Sequence, residues 1–582
     1  MSENMTRSNM DTIVPASSIT QRPVDQNRLA ALLAQDCHPV LARLLAARGV
    51  GALAALQPSI DQLLPPDSLL GIAQAANLLA NAIEAGNKLL VVGDYDCDGA
   101  TACAVMVLGL RRLGATVDFL VPNRFVHGYG LTPAIVALAQ QHPRLGRPDV
   151  LITVDNGIAS IDGVAAARAA GMRVVVTDHH LPAAQVPQAD AIVNPNQHGC
   201  PFPSKHLAGV GVALYVLLAI RAQLRQRGAF SEQQPALIDL LDLVALGTVA
   251  DLVKLDANNR TLVNAGLKQI RAGKASIGVR ALLTVAGVEH RRCATQDLGF
   301  ALGPRINAAG RLEDISLGIA LLTSDDPDQA AQLAHRLDAI NRQRREVESQ
   351  MRGQAELQVD QVAAERRTVC VRNDDWNEGV IGLVASRIKD KVHRPVFAFA
   401  ASSADSNSLR ASGRSISGVH LRDVLDLISK REPDLIDRFG GHAMAAGLSL
   451  NADHYARFTA AFETAVQDFA DPASFIEQRL CDGPLAPDYW SVALIEQFNQ
   501  ICWGQGFPAP LFCDIFEVGQ QRVIKDKHLK LSLRLGRHRI EAIYFNQVEW
   551  LAARSRILFQ AVINEFNGRR TLEFMVRFAE SA

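Results

Sequence analysis

Four short motifs place carboxylates and histidines at the ends of hydrophobic segments. They are Gly-Asp-Tyr-Asp-Cys-Asp-Gly (93 to 99), Val-Asp-Asn-Gly (154 to 157), Thr-Asp-His-His (177 to 180) and Val-Ala-Asp-Leu (249 to 252). Carboxylate and imidazole ligands without a thiolate suit Mn²⁺ or Mg²⁺ better than a structural zinc ion. Two such ions about 4 Å apart can activate a water and stabilise charge on the oxygens of a phosphoryl centre. The motifs therefore predict a site for two-metal chemistry on a phosphate ester.

The first three motifs follow apolar, β-branched segments, and the fourth ends an apolar helical segment at residues 236 to 249. The pattern predicts strands at residues 88 to 92, 150 to 154 and 173 to 177, and helices at residues 100 to 113, 133 to 141 and 161 to 170. This alternation is typical of a parallel sheet, in which the carboxyl ends of the strands meet in one crevice. Acids that are distant in the sequence are therefore expected to come together at that edge.

The acidic run at residues 94 to 98 is interpreted as an extended turn in which alternate carboxylates point the same way. Gly99 would relieve crowding before the following helix. One such loop alone is more often a turn or a helix cap, and an isolated His179 is more often structural. Four such clusters in compatible positions favour a functional site over these structural explanations. Asp178 and His180 beside His179 then favour a metal ligand that its neighbours orient.

Length and composition limit the class of protein. With 582 residues the chain is expected to form about three or four domains. A formal net charge of −1 means that any basic surface is local, and nine cysteines without a Cys-x-x-Cys pair favour a reducing compartment. The start lacks a signal-peptide pattern, and no apolar stretch is long enough to span a bilayer. The chain is therefore expected to be cytoplasmic and to have no membrane partner.

The pattern along the chain divides into five parts. An N-terminal tail and helical lead-in (1 to 70) precedes a parallel-sheet domain (71 to 320). A polar, helix-forming stretch (321 to 365) predicts a long connecting helix, and a second α/β domain (366 to 465) follows it. Short β-branched runs between glycines and charged turns then predict a C-terminal barrel (466 to 582). The predicted fold class is α/β with an added β-barrel.

The motifs resemble those of the DHH phosphoesterase superfamily and, within it, those of the RecJ family of bacterial exonucleases. Further matching motifs are Val-Pro-Asn-Arg-Phe (121 to 125), His-Gly-Tyr-Gly-Leu (127 to 131), Gly-Pro-Arg-Ile-Asn-Ala-Ala-Gly-Arg (303 to 311) and Phe-Gly-Gly-His-Ala-Met-Ala-Ala-Gly (439 to 447). The resemblance implies a parallel-sheet DHH domain, an α/β DHHA1 substrate-binding domain and an OB-like barrel. It also implies a metal-dependent exonuclease that degrades single-stranded DNA from 5′ to 3′ in recombination and repair.

The resemblance implies a ligand set for two ions, either Mn²⁺ or Mg²⁺. The metal ligands would be Asp94, Asp96, Asp98, Asp155, His179 and Asp251. Asp94 and Asp96 would bind one ion, and Asp98, His179 and Asp251 the other, with Asp155 as the bridge. Asp178 would orient His179, and His180 would face the phosphate. Asp155, His179 and His180 are the predicted catalytic residues. The division of ligands between the two ions stays open because it depends on side-chain directions.

Resemblance to the DHHA1 domain points to residues that could bind the substrate. Ser412, Arg414 and His442 are candidates to hold the terminal nucleotide, and Arg124 and Arg311 are candidates for phosphate contacts. Arginine forks suit the geometry of a phosphate. Without the resemblance, each arginine would more often be a solvated surface charge, and Gly-Gly-His (440 to 442) would be a simple turn.

The predicted barrel carries a basic segment. Residues 522 to 539 contain seven Lys and Arg residues with only Asp526 opposing them. Lys527, Lys530 and Arg534 are candidates for binding phosphates of a single strand, with Tyr544 and Phe545 as stacking residues. By composition alone, a solvated strand face with core aromatics is equally compatible, and the resemblance to an OB-like domain favours DNA binding.

Two other functions fit part of the sequence. A phosphodiesterase of short oligonucleotides or cyclic dinucleotides would not need the barrel. A catalytically silent scaffold in a replication complex would not need an intact set of metal ligands. The resemblance itself implies a monomer that acts on single-stranded DNA, with a single-strand-binding protein and a RecQ-type helicase as partners.

Overall fold

The structure is a computed structural model that describes residues 17 to 56, 58 to 122, 130 to 230, 233 to 362, 365 to 403, 405, 407 to 566 and 568 to 582. The chain divides into two units. The first unit comprises Arg22–Asn341 and Cys481–Ala582. The second unit comprises Arg342–Leu480 and the described residues up to Gln21.

The strands are distributed over both units. In chain order they are β1 (Ser17–Gln21), β2 (Lys88–Gly93), β3 (Thr116–Leu120), β4 (Val150–Val154), β5 (Arg173–Thr177), β6 (Ala191–Val193), β7 (Val369–Arg372), β8 (Val396–Ala401), β9 (Ser408–Arg414), β10 (Arg438–Gly441), β11 (Ala445–Asn451), β12 (Glu477–Cys481), β13 (Phe512–Ile524), β14 (His528–Leu535), β15 (His538–Tyr544), β16 (Arg554–Phe566) and β17 (Arg569–Ser581). They form two five-stranded sheets, a closed barrel and a short pair of β1 with β12.

Helices fill the segments between the strands. Those of eight or more residues are Gln26–Leu33, Pro39–Ala46, Ile72–Glu84, Cys97–Arg112, Pro133–Gln140, Ile161–Ala169, Gly209–Gln226, Leu241–Ala250, Ala257–Arg271, Ile277–Ala286, Gly303–Leu312, Ser316–Thr323, Pro327–Val359, Ile381–Val392, Leu421–Arg431, Tyr455–Phe469 and Val492–Asn499. In the part of the chain that the structure describes, none of them is long and apolar enough to cross a membrane.

A parallel sheet forms the centre of the first unit. Its strand order is β3-β2-β4-β5-β6, and every adjacent pair is parallel. All five residues of β4 are buried, as expected for a parallel strand that is covered on both faces. The predicted α/β fold class with a parallel-sheet domain is confirmed.

The helix Cys97–Arg112 packs on this sheet, and small residues let its neighbours approach closely. A Cβ atom built on Gly109 would lie 2.3 Å from Leu217, and one on Gly247 would lie 2.1 Å from the Thr101 hydroxyl oxygen. Larger residues at either glycine would push the helices Gly209–Gln226 and Leu241–Ala250 away from it. The close packing fixes the helix ends that carry candidate ligands.

The barrel belongs to the same unit as the parallel sheet. Its strand order is β13-β14-β15-β17-β16, closed by β13 and β16, and it confirms the predicted C-terminal barrel. A buried ion pair links this part of the chain to the N-terminal lead-in, because Arg48 Nη2 lies 2.8 Å from Asp482 Oδ2. Arg48 Nε also donates to the Pro508 carbonyl. Such a buried pair is tolerated because further hydrogen bonds satisfy the guanidinium.

The second unit has its own sheet and core. The strand order is β10-β11-β9-β8-β7, with β7 and β8 parallel and the other pairs antiparallel. Its core is aromatic: the ring centroids of Phe397 and Phe462 are 5.0 Å apart in an edge-to-face arrangement, and Phe458 stacks on Phe462. The predicted α/β character of this part of the chain is confirmed.

Candidate metal centre

Three of the acidic motifs start from one row of the parallel sheet. Gly93 pairs with Val154, and Val154 pairs with Thr177, so the three strands end side by side. The first acid of each motif is the next residue along the chain. Asp155 has a φ of 61°, a left-handed conformation that Asp and Asn adopt more readily than most residues. The register of the sheet therefore brings the motifs together.

The first acidic loop differs from the predicted extended turn. The helix begins at Cys97 with Asp96 as its N-cap, and the Asp96 carboxylate accepts a hydrogen bond from the Gly99 amide at 3.0 Å. Asp98 therefore lies in the first helical turn. Asp is strongly preferred at the N-cap position, so the acidic run itself was a signal for the start of a helix. The need for glycine is real, because a Cβ on Gly99 would lie 2.5 Å from the carbonyl oxygen of Asp94.

Asp98 is buried at the start of another helix. Its two carboxylate oxygens accept hydrogen bonds from the amides of Gly209 at 2.6 Å and Val210 at 2.9 Å. Burial and the charge of Asp96 raise the pKa of Asp98 to about 7, although the two amides act in the opposite direction. The N-terminus of the helix Gly209–Gln226 thus holds this carboxylate in one orientation.

His179 lies among acids from three different elements. Its Nε2 atom is 3.1 Å from Asp155 Oδ1, 3.5 Å from Asp251 Oδ2 and 3.9 Å from Asp98 Oδ2. The Leu207 carbonyl accepts a hydrogen bond from the His179 ring. Metal-binding histidines commonly make such a bond with the nitrogen that does not bind the ion. This arrangement directs Nε2 toward the acids.

Potential ligand atoms form three overlapping groups, and within each group the atoms lie within 4.8 Å of one another. They are Asp94 with Asp96 and Asp155, Asp98 with His179 and Asp251, and Asp155 with His179 and His180. We call Asp94, Asp96, Asp98, Asp155, His179 and Asp251 the acid cage.

Two atoms of the acid cage fit a bound cation. Asp155 Oδ1 and His179 Nε2 are buried, and among the described residues neither has a hydrogen-bond partner. Buried polar atoms normally have partners, and a divalent ion would satisfy both. Burial and the charge of His180 lower the pKa of His179 to about 4, so the ring is neutral and can bind a metal.

The electrostatics of the acid cage also call for positive charge. Burial, followed by the charges of neighbouring aspartates, raises the pKa of Asp155 well above its usual value. The pKa of Asp251 is raised for the same reasons, with Asp98 and Asp96 as the main neighbours. Ionised carboxylates so close together repel unless cations shield them. The donor set therefore fits hard divalent ions such as Mn²⁺ or Mg²⁺.

Asp178, which the sequence analysis expected to orient His179, contacts both histidines of the motif. Its Oδ1 atom lies 2.8 Å from His180 Nδ1 and also accepts the His179 backbone amide at 2.7 Å. Burial alone would raise the pKa of Asp178, but the hydrogen bond and charge of His180 outweigh it and lower the pKa. Despite its own burial, His180 has a pKa raised to about 9, chiefly by Asp178 and Asp94.

Asparagines that the sequence analysis missed hold these loops in place. Asn196 Nδ2 donates to the His179 carbonyl at 2.6 Å, and Asn194 Nδ2 donates to the His180 carbonyl at 2.9 Å. Asn307 Oδ1 accepts the Cys97 amide at 2.7 Å. The Asn-Pro-Asn sequence directly after β6 was an available signal, because it follows a strand of the same sheet.

The structure describes only one of the two candidate phosphate-binding arginines of the first unit. Arg124 lies outside the described residues. Arg311 is half-buried in the helix Gly303–Leu312, next to Gly310, whose Cβ would lie 2.1 Å from the Tyr95 carbonyl oxygen. Arg311 therefore directly follows the residue that contacts the acidic loop. Arg305 of the same motif has a structural role, because it pairs with Asp338 at 2.9 Å.

Ser412 and Arg414 lie together in the second unit. Arg414 Nη1 donates to the Ser412 hydroxyl at 3.0 Å, and both side chains face the start of the helix Ile381–Val392. A Cβ on Gly382 would lie 2.9 Å from each of them. His442 is exposed after β10, where its amide donates to the Ala445 carbonyl. A hydroxyl, a guanidinium and a helix N-terminus together form a candidate phosphate pocket.

The positive charge of the basic segment of the barrel is partly neutralised, which its sequence did not indicate. Cross-strand acids oppose it: Lys530 pairs with Glu573, and Arg534 pairs with Glu517. Asp526 is therefore not the only opposing acid, because strand pairing brings acids from distant parts of the chain. Lys527 lies exposed in the turn between β13 and β14.

The two candidate stacking residues of the barrel differ in their exposure to solvent. Phe545 is 45% exposed, and its ring lies 5.0 Å from that of His528. Tyr544 packs against the hydrophobic core. Phe545 therefore remains the better placed of the two for contact with a base.

Three family models match the chain. They are the DHH family N-terminal domain at residues 88 to 248, the DHHA1 domain at residues 361 to 468 and the RecJ OB domain at residues 481 to 577.

Several named proteins are similar to this chain over most of its length. The single-stranded-DNA-specific exonuclease RecJ of Escherichia coli (strain K12) is 44% identical over 96% of this chain and 98% of its own. The crystal structure of RecJ from Thermus thermophilus in complex with Mn²⁺ matches with a TM-score of 0.81 and 27% identity, over 97% of this chain and 80% of its own. The same protein in complex with Mg²⁺ matches with a TM-score of 0.77 and 26% identity, over 97% and 78%.

Proposed function

This chain belongs to the RecJ family, and we propose that its acid cage hydrolyses phosphodiester bonds of single-stranded DNA from the 5′ end. The process served would be DNA recombination and repair. The observation that carries the proposal is the convergence of six candidate ligands from four motifs within the described part of the chain. Relatives named as single-stranded-DNA-specific exonucleases support the choice of substrate.

The geometry supports a division of ligands between two ions. Asp155 shares one group of ligand atoms with Asp94 and Asp96 and another with His179, and Asp251 lies in a group with His179. Because Asp155 belongs to both groups, it fits a bridging carboxylate. Asp98 would complete the second set, since its Oδ2 atom faces His179 Nε2.

When two Mn²⁺ or Mg²⁺ ions are bound, they supply water activation and neutralisation of phosphate charge. The chain itself supplies a second positive group. Asp178 fixes the ring of His180 by accepting from Nδ1, and in the metal-free protein the pKa of His180 is raised to about 9. A protonated imidazole beside the acid cage can stabilise the charge that develops on a phosphate. His179, with a pKa of about 4, stays neutral and serves as a ligand.

Each unit contains candidate substrate-binding residues. In the second unit, Ser412 and Arg414, with His442, would bind the terminal nucleotide, and in the first unit Arg311 would contact a phosphate. Arg124 has the same assignment by resemblance. Because of their positive charge, the barrel residues Lys527, Lys530 and Arg534 are proposed to contact phosphates further along the strand.

The wider setting follows from the family. A single-strand-binding protein and a RecQ-type helicase are proposed partners, because the first coats single strands and the second produces them. A monomer acting in the cytoplasm is the proposed form of the enzyme. Size measurement in solution and pull-down with each purified partner would test these assignments.

End-labelled DNA tests the proposed function. With Mn²⁺, the purified protein should release the 5′ label as a mononucleotide and shorten 3′-labelled strands progressively, and duplexes should resist. EDTA should stop both reactions. Equal rates on dinucleotides and long strands would instead identify a short-substrate phosphodiesterase. Normal Mn²⁺ binding without any cleavage would identify a catalytically silent scaffold.

A further inference from the structure

Large apolar side chains are exposed close to the acid cage, among them Phe300 and Leu252. Phe300 is 75% exposed and Leu252 is 64% exposed. Leu252 directly follows the candidate ligand Asp251, and Phe300 is the central residue of a π-helical turn, Leu298–Leu302. Single exposed apolar residues are common on protein surfaces, but several of them beside a candidate active site can mark a binding surface.

Packing on the inner side of the π-helical turn explains why Phe300 points outward. Leu298 and Leu302 are fully buried. A Cβ on Gly299 would lie 3.3 Å from Val249 Cγ1, and one on Gly303 would lie 3.1 Å from Ala250 Cβ. The turn therefore rests on the last turn of the helix that precedes Asp251. Phe300 and Leu252 are close in the chain to the residues that make this contact.

The backbone at both positions is unusual. Leu252 has a φ of 60°, in the left-handed region that a side chain with a Cβ atom rarely adopts. The π-helical turn inserts an extra residue into a helix, and such turns are frequent at functional sites. Neither side chain gains burial in return for its backbone conformation. Fold stability therefore does not account for an apolar residue at either position.

We propose that Phe300 and Leu252 form an apolar rim that supports a nucleobase of the single strand while its phosphate lies at the acid cage. The inference rests on the proposed function and deepens it. An aromatic face stacks on any of the four bases, so this contact would not depend on the sequence of the strand. The carboxylates of the acid cage offer nothing to the apolar face of a base. The rim would therefore supply the base contact next to the site of cleavage.

Substrates with and without bases test the rim. One set is an ordinary single strand, and the other carries tetrahydrofuran abasic sites at the terminal positions. Phe300→Ala should lower kcat/KM on the ordinary strand about 5- to 100-fold, as expected for the loss of one stacked base. Phe300→Trp should restore most of the loss. On the abasic strand, all three proteins should have equal kcat/KM.

Three further measurements separate base stacking from other roles. The salt dependence of binding should keep its slope in Phe300→Ala, because no phosphate contact is removed. Mn²⁺ affinity should also be unchanged. Leu252→Gly should retain or raise the melting temperature, since glycine adopts this φ without strain, and should still lower kcat/KM on the ordinary strand. Phe469, which is 67% exposed in the second unit, provides the matched control, and Phe469→Ala should behave like the wild type on both strands.

Two results would overturn the rim. One is a Phe300→Ala enzyme equal to the wild type on the ordinary strand. The other is an equal loss on ordinary and abasic strands, which would indicate a structural effect. If the wild-type protein with Mn²⁺ cleaves no single strand at all, the proposed function is wrong. The assay of the wild type by itself shows this, independently of the Phe300 variants.

Discussion

Replacing Asp155 by Asn should change stability and catalysis in opposite directions. Asparagine has nearly the same shape as aspartate and tolerates the left-handed φ of 61° at this position. The substitution therefore removes one negative charge with little change in packing. If Asp155 bridges two metal ions, the charge is needed for function, but in the metal-free protein it adds to the repulsion among the carboxylates.

The size of that repulsion follows from the geometry. The ligand atoms of Asp94, Asp96 and Asp155 lie within 4.8 Å of one another. At that distance, two unit charges repel by about 3.5 kcal/mol at an effective dielectric constant of about 20. Protonation relieves part of this repulsion, because the pKa of Asp155 is raised. A net gain on the order of 2 to 4 kcal/mol is therefore expected for the metal-free variant at pH 8.

The gain should depend on pH with a defined sign. A carboxyl group whose pKa is raised by folding stabilises the protein at low pH, and this contribution is lost as the pH rises through the folded-state pKa. Wild-type protein in EDTA should lose stability as the pH rises from the unfolded-state pKa of Asp155 to its raised folded-state pKa. The Asp155→Asn protein lacks this titrating group. The two proteins should therefore converge at acid pH and diverge as the pH rises.

Chemical denaturation at pH 5 and pH 8, with EDTA or with Mn²⁺, measures both effects. Mn²⁺ should stabilise the wild type much more than Asp155→Asn, and nuclease activity should fall on the order of 10³-fold or more. Asp162→Asn, an exposed change in the helix Ile161–Ala169, should leave the Mn²⁺-dependent shift intact. A metal-free Asp155→Asn protein that is less stable than the wild type at pH 8 would refute the reasoning, as would equal stabilisation of both by Mn²⁺.

Two further predictions concern substrate binding. Arg414→Ala should raise KM for 5′-phosphorylated strands about tenfold or more by removing a charged hydrogen bond, with little effect on 5′-hydroxyl strands, whereas the exposed control Arg422→Ala should have no effect. An unchanged ratio between the two substrates would contradict end recognition. Lys527→Gln should reduce the logarithmic salt slope of binding to long strands by about 0.7, and Lys530→Gln should reduce it less because Glu573 already pairs with Lys530. Equal effects of the two barrel variants would show that this ion pair does not limit DNA contact.

The sequence predicted the position of the acid cage because strand ends in a parallel sheet obey a simple rule. Apolar runs located β2, β4 and β5, and the residues after them had to meet at one edge. The local structure of the first loop was harder to predict. Asp96 could be part of an extended turn or an N-cap, and only the bond to the Gly99 amide decides between them.

Contacts between distant parts of the chain could not be read from local patterns. Nothing near Asp98 in the sequence indicates that the amides of Gly209 and Val210 bind its carboxylate. Likewise, the charge of Lys530 looked unopposed until β17 placed Glu573 beside it. Periodicity defines elements, but the pairing of elements decides which charges are neutralised.

Neighbouring groups give the two adjacent histidines of the DHH motif different protonation states. Both rings lie close together, with centroids 4.5 Å apart, so a proton on one disfavours a proton on the other. Asp178 resolves the competition by accepting from His180, which raises the pKa of that ring to about 9. Burial and the charge of His180 then lower the pKa of His179 to about 4. One carboxylate behind the motif therefore yields a neutral ring that can bind a metal and a positively charged ring from two identical side chains.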